Sequence, residues 1–194
     1  MAKSPTKGAR KKTEAGVAPR RVRYRVAVSL DGFIAGPNGE FDWIIMDPAF
    51  DFAALFKQFD TFLLGRRTFE ITRQEGAPDM PTGTKTIVFS RTLRQSDYPK
   101  VVISSEVAET ISALKTKPGK DIWLFGGGEL FRSVLDAGLI DTIEVAVMPI
   151  LLSEGIPLLS AGARSPALQL TETKTLPSGT VMLSYSVVKK RKRR

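Results

Sequence analysis

An α/β fold, a three-layer αβα sandwich with a mixed central sheet closed by an antiparallel hairpin, is the class that the sequence predicts, on three observations. Short Val- and Ile-rich runs alternate with segments of helical apolar spacing along most of the chain. Two of those runs pass through glycine straight into a helical pattern, at Leu64-Gly65-Arg66 and at Phe125-Gly126-Gly127-Gly128. The last third changes to two alternating runs around Pro177-Ser178-Gly179, a turn signal that makes its strands antiparallel.

Element by element, Arg21 to Ser29 alternates and reads as a first strand, and Asp31-Gly32 opens a long loop through Gly36-Pro37-Asn38-Gly39. Asp47-Pro48 has the form of a helix start, Asp47 as cap, with Phe52, Leu55, Phe56 and Phe59 as the apolar face and an end near Phe59. Thr61 to Leu64 is a strand, and Arg66 to Gln74 a helix. Thr84 to Ser90 and Lys100 to Ile103 read as strands separated by a loop at Asp97-Tyr98-Pro99. Ser105 is placed to cap a helix carrying Val107, Ile111 and Leu114, which Pro118-Gly119 stops. Asp121 to Phe125 is a strand, and Leu130, Phe131, Val134 and Leu135 mark the next helix, with Gly138 at its end. Ile143, Val145 and Val147 form a further strand. Pro149 to Leu159 is an apolar loop, and Leu168 to Thr173 and Val181 to Val187 make the hairpin.

Charge divides the chain into three parts: basic tails at 1–20 and 189–194 around a single domain at 21–188. Fifteen of the 29 Lys and Arg residues fall within the first 25 and the last six positions, so the stretch between them is net acidic although the whole chain carries +9. The tails read as disordered; they are either solubilising or able to touch nucleic acid weakly and without sequence preference. No run is apolar over the ~18 residues of a membrane span and no secretory signal is evident, so a cytoplasmic protein is expected.

The chain contains neither cysteine nor histidine. That excludes Ser-His-Asp and Cys-His catalysis, disulfides and the common zinc sites, and no metal is expected. Chemistry falls to carboxylates, hydroxyls, Lys, Tyr or a borrowed cofactor. The glycine triplet points to the last of these. Glycines let backbone N–H groups approach a phosphate, and the helix that follows adds the positive end of its dipole. A dinucleotide pyrophosphate is the obvious guest, although the spacing is not G-x-G-x-x-G.

Taken in order, Ser29-Leu30-Asp31-Gly32-Phe33-Ile34-Ala35, Leu64-Gly65-Arg66-Arg67-Thr68-Phe69-Glu70, Ser90-Arg91-Thr92 and Leu124-Phe125-Gly126-Gly127-Gly128-Glu129-Leu130 carry a family resemblance over residues 22–188. So do Asp136 to Asp141 and Pro149-Ile150-Leu151-Leu152. The chain resembles the dihydrofolate reductase fold, and especially the reductase domain of the bifunctional riboflavin-biosynthesis deaminase-reductase. The resemblance implies NADPH as hydride donor, a cis peptide at Gly126-Gly127 and a homodimer, with Pro149 to Leu159 as a candidate contact. Cofactor contacts are then expected from Gly65, Arg66, Arg67 and Thr68 at one junction and from Gly126, Gly127, Gly128, Glu129 and Leu130 at the other. Ala27 and Ile34 would lie near the nicotinamide. Ser90 and Arg91, or Arg66, are candidates for the 2′-phosphate, Ser90-Arg91 reading equally as a solvated turn.

The resemblance implies reduction of a C=N or carbonyl carbon in a heterocyclic or sugar-like small molecule. Asp31 would approach the reacting carbon, although its Asp-Gly pair equally serves a turn. Asp51 is the candidate for the acid that polarises a pterin in true dihydrofolate reductases, yet it aligns poorly and reads also as a solvated cap. Phe33 stands where the riboflavin-type domain often carries Lys or Arg, and the zinc ligands of a deaminase half are missing. A stand-alone reductase with a more apolar pocket fits these departures. A pterin reductase, and a nucleotide-binding protein tethered by its tails, are the other readings.

Overall fold

The computed structural model describes residues 19–74 and 80–189. The expected tails at 1–18 and 190–194 lie outside the described residues. Strands β1 (Val22–Ser29), β3 (Phe59–Gly65), β4 (Lys85–Phe89), β5 (Val102–Ser104), β6 (Asp121–Gly126), β7 (Thr142–Met148), β9 (Leu168–Thr175) and β10 (Val181–Val187) form one sheet in the order β5-β4-β3-β6-β1-β7-β10-β9. The first six are mutually parallel, and β10 pairs antiparallel with both β7 and β9. A second, two-stranded sheet joins β2 (Phe33–Ala35) to β8 (Ile156–Pro157). Helices α1 (Phe52–Phe56), α2 (Arg66–Gln74), α3 (Val107–Lys115) and α4 (Gly128–Asp136) complete the layers.

Alternation within the strands sends side chains to two different cores. Val22, Tyr24 and Val28 of β1 join Leu63, Ile122, Leu124 and the α3 and α4 faces in one apolar cluster. Phe62, Leu64, Val88 and Trp123 point the other way, onto α1 and α2. Arg23 and Arg25 share this second face. Arg23 Nε donates to Glu144 Oε1 at 2.6 Å and Arg25 Nη1 to Glu144 Oε2 at 2.6 Å, all three side chains being largely buried. Burial raises the Glu144 carboxyl pKa, but the two guanidiniums outweigh it and hold the group below its ordinary value.

Asp141 gathers both ends of the folded unit. Its carboxylate accepts from Val22 N at 2.8 Å and from Lys189 Nζ at 2.7 Å and also pairs with Lys115. Its backbone carbonyl accepts from Val187 N. These contacts lie at the amino end of β1, far from the glycines.

Most expected elements stand within two residues of their bounds, and α2 and β10 match end to end. The exception is the helix expected from Asp47 to Phe59, which is only Phe52–Phe56. Asp51 caps it, accepting from Ala54 N at 2.8 Å. Asp47 instead accepts from Ala49 N and, across the molecule, from Ser178 N of the hairpin turn. Phe59 opens β3 because it pairs with β6 opposite Asp121. Ser105 does not cap α3, whose N-cap is Glu106; the Ser104 hydroxyl accepts from Glu106 N.

Candidate functional site

The two glycine junctions leave the sheet side by side, because β3 and β6 are neighbours with Leu64 opposite Gly126. A Cβ placed on Gly65 would stand 3.6 Å from the Gly127 nitrogen and 3.7 Å from the Gly126 oxygen. One placed on Gly127 would stand 3.2 Å from the Thr68 hydroxyl. Two backbones and one hydroxyl therefore meet with no side chain between them. The Gly126-Gly127 peptide is cis. Helices α2 and α4 begin here, and the first-turn N–H groups of a helix have no partner within it. Gly128 answers to packing, since a Cβ there would come within 2.9 Å of the Pro157 carbonyl oxygen.

The other expected cofactor residues surround this point unevenly. Arg66 is exposed and donates to Glu70 one helical turn on, a pair that water screens, and Arg67 is exposed. The Ser90 hydroxyl oxygen accepts from Thr92 N and Leu93 N, which shapes the turn after β4 and leaves its O–H able to donate. Arg91 stands exposed beside it. Ala27 is half-buried opposite Ala146 of β7, and Ile34 packs on the first core cluster. Glu129 is exposed in the first turn of α4, and Leu130 is buried with its Cβ beside Gly65.

Asp31 is an anchor. Its carboxylate accepts from the Ser29 hydroxyl at 2.6 Å, from Ser153 N at 2.7 Å and from Leu152 N at 3.1 Å. The Ser29 hydroxyl first, then the two backbone donors, hold its pKa below the usual carboxylate range. Together with the β2–β8 pairing, this fastens the loop after β1 to the loop after β7. Gly155, at φ 150°, lies so close to the Ala35 carbonyl that a Cβ would collide with its oxygen. Ile150 and Leu151 of the same loop are exposed.

A cavity of about 480 Å³ opens on the second face of the sheet, beside the glycines. Leu64 and Phe125, the last side chains before Gly65 and Gly126, form its inner wall, and Phe56 of α1 and Phe69 of α2 flank it. Asp31, Asp47 and Asp51 are not among its lining residues.

With this geometry in place, comparison with known proteins gives a consistent result. The family model of the RibD C-terminal domain matches residues 20–182. The chain belongs to that family. It is 38% identical over 177 residues to the uncharacterized protein YyaP of Bacillus subtilis, covering 86% of this chain and 94% of that one. It is 23% identical over 154 residues to the riboflavin biosynthesis protein RibD of Corynebacterium ammoniagenes, of which it spans 46%. Among crystal structures, a Shewanella protein assigned to riboflavin biosynthesis superposes with a TM-score of 0.74 at 26% identity, over 87% of this chain and 99% of that one. A Thermotoga maritima deaminase/reductase shares the fold, with a TM-score of 0.66 at 17% identity over 88% of this chain and 57% of that one. The fold is thus that of the reductase-like domains of riboflavin biosynthesis, as the ordered motifs imply.

Sequence reasoning missed three features. The cavity draws its walls from five elements and has no local signature. The strands β2 and β8 are too short to show a period. The Arg23–Glu144–Arg25 cluster did leave a signal, since Arg21, Arg23 and Arg25 recur every second residue and Glu144 interrupts an apolar strand.

Proposed function

We propose that this chain is an NADPH-dependent oxidoreductase, with the dinucleotide held at the paired glycine junctions and the substrate in the adjoining cavity. The observation that carries the reading is the approach of Gly65 to Gly126 and Gly127 with the Thr68 hydroxyl beside Gly127, which brings bare backbone together at two helix starts. These residues fit a pyrophosphate. Backbone N–H groups and Thr68 would receive its oxygens, Arg66 and Arg67 add charge from the surface, and Ser90 with Arg91 takes the 2′-phosphate. The bound nucleotide supplies a hydride for a C=N or carbonyl carbon.

The protein's own part is positioning and exclusion of water. Asp31, ionised at neutral pH and saturated by three donors, holds the loop after β1 in place, and solvent provides the proton. A pterin substrate is disfavoured because Asp51 spends its carboxylate on the start of α1 and lies outside the cavity lining.

Titration with NADPH and NADH, followed by calorimetry, tests the reading. Saturable binding that prefers NADPH is expected, weakened for NADPH alone by Arg91→Ala. Gly127→Val should lose both nucleotides while keeping the far-UV spectrum of the folded chain, and undiminished affinity in that variant would sink the cofactor assignment.

A further inference from the structure

We infer that the amino end of the parallel strands, together with the two chain segments that continue from it, forms one docking face for duplex nucleic acid, which it grips by the phosphates without regard to sequence. The face lies at the other end of the sheet from the glycine junctions, so the inference does not rest on the reductase reading.

Residues 1–18 and 190–194 hold ten Lys or Arg against the single Glu14, which is the whole of the chain's +9. The stretch 19–189, Glu75 and Asp79 included, carries as many acids as bases. In sequence these two basic segments are as far apart as the chain allows. The fold brings their roots together. Arg23, Thr142 and Ser186 stand side by side across β1, β7 and β10, and the Asp141 carboxylate accepts from both Val22 N and Lys189 Nζ, at 2.8 and 2.7 Å. Neighbouring strands are about 4.8 Å apart, which puts the start of β1 and the end of β10 about 10 Å from each other. A duplex presents about six phosphate charges over that distance.

The folded surface around the roots favours the same partner. Parallel strands place the residues that precede each of them at this one end. Lys57 precedes β3, Lys120 precedes β6, and Lys117 follows α3; all three are exposed and form no ion pair among the described residues. The carboxylates here are engaged: Asp60 by Arg20, Asp121 by Arg21 and Arg23, Asp136 by Arg132, and Asp141 by Lys115 and Lys189. Acids that offset the bases lie at the far end, with Glu40, Asp42 and Asp47 in the loop after β1, and Glu129 and Glu154 after β6 and β7.

The composition of the basic segments decides between two polyanions. Stable attachment to a lipid surface takes an apolar signal beside the charge, and Met1 and Val17 are the large apolar residues that the segments contain. Nucleic acid needs no such signal, because each phosphate neutralised releases condensed counterions.

Fluorescence anisotropy of the full chain with a labelled DNA duplex of about 12 base pairs, titrated between about 50 and 200 mM salt, tests this. Saturable binding of one duplex per chain is expected, equal for two unrelated sequences, with affinity falling about a thousandfold over that range as for six phosphate contacts. Exchanging the five bases of 190–194 for Gln, or the five of 1–18, should each cost more than about tenfold at the lower salt, because the two segments act on one ligand. Lys117→Gln combined with Lys120→Gln should lower the slope of log affinity against log salt by about two. Lys174→Gln, exposed toward the hairpin end of the sheet, should leave the slope unchanged. Two duplexes per chain would show that the segments work apart. That result, no saturable binding at the lower salt, an unaltered slope in the Lys117 and Lys120 variant, or tighter binding to vesicles of about 30% phosphatidylserine than to the duplex would each overturn the inference. Gly127→Val should bind the duplex as the parent does, so loss of its NADPH affinity bears only on the cofactor reading.

Discussion

Beneath α3 and α4 the central strands present Val22, Tyr24, Leu63, Ile122 and Leu124 to a closed apolar core, whereas the same strands turn Arg23, Arg25, Trp123 and Glu144 to the opposite face. The first face is covered by two nine-residue helices. The second is covered by the five-residue α1, by α2 and by loops, and it keeps both a buried charge cluster and an open cavity. Close apolar packing and open space therefore lie on different sides of one sheet. Close packing on one side leaves the other free to hold polar groups and empty space.

The largest break in this contrast should come from the charged side. Glu144→Ala takes the paired carboxylate from buried Arg25 and leaves Arg23 with Asp121 and Gln58, and is expected to cost about 3 kcal/mol in urea unfolding. The same cluster makes a pH prediction. The Glu144 carboxyl has a folded pKa below its unfolded value, so its stabilisation is complete at neutral pH and is lost as pH falls below the ordinary carboxylate range. Parent protein should therefore lose stability in acid more steeply than Glu144→Ala, and parallel curves would show that the cluster is not what acid attacks.

Next in size is a cavity on the packed side. Leu124→Ala removes a fully buried side chain and should cost about 3 kcal/mol. Phe56→Ala, at the edge of the existing cavity, should cost less because part of its surroundings is already open. Equal losses would show that the two faces are packed alike.

The smallest effect sharpens the picture of the closed face. Tyr24 is fully buried, stacks on Phe131 with ring centres 3.8 Å apart, and its hydroxyl has no hydrogen-bond partner among the described residues. Burial pushes its pKa well above the ordinary value. Tyr24→Phe deletes an unsatisfied polar atom and keeps the stack, so melting should show no loss and a gain of up to about 1 kcal/mol. A clear loss would reveal a partner for the hydroxyl.

Much of this architecture was legible in the residues, and the exceptions share a cause. Helix α2 and strand β10 follow from local spacing and from the glycine turns that bound them. The glycine junctions were legible as strand-to-helix turns because missing side chains and helix starts are local properties. Helix α1 was overextended because Asp47-Pro48 has the local form of a cap, while its carboxylate is claimed by Ser178, 131 residues away. Asp31 was ambiguous for the same reason. Its Asp-Gly pair signals a turn, and only the fold brings Leu152 and Ser153 to its carboxylate. The cavity gave no sign at all, because its walls come from strands and helices that the sequence places far apart.

Asp141 carries a consequence for how the molecule can be joined to anything else. One carboxylate accepts from both the backbone N–H of Val22 and the ammonium of Lys189, so the first strand and the end of the described chain meet at a single doorway. That doorway is at the opposite pole from the glycines. Val22 and Lys189 are thereby fixed to one end of the sheet, and the glycine junctions stand at the other.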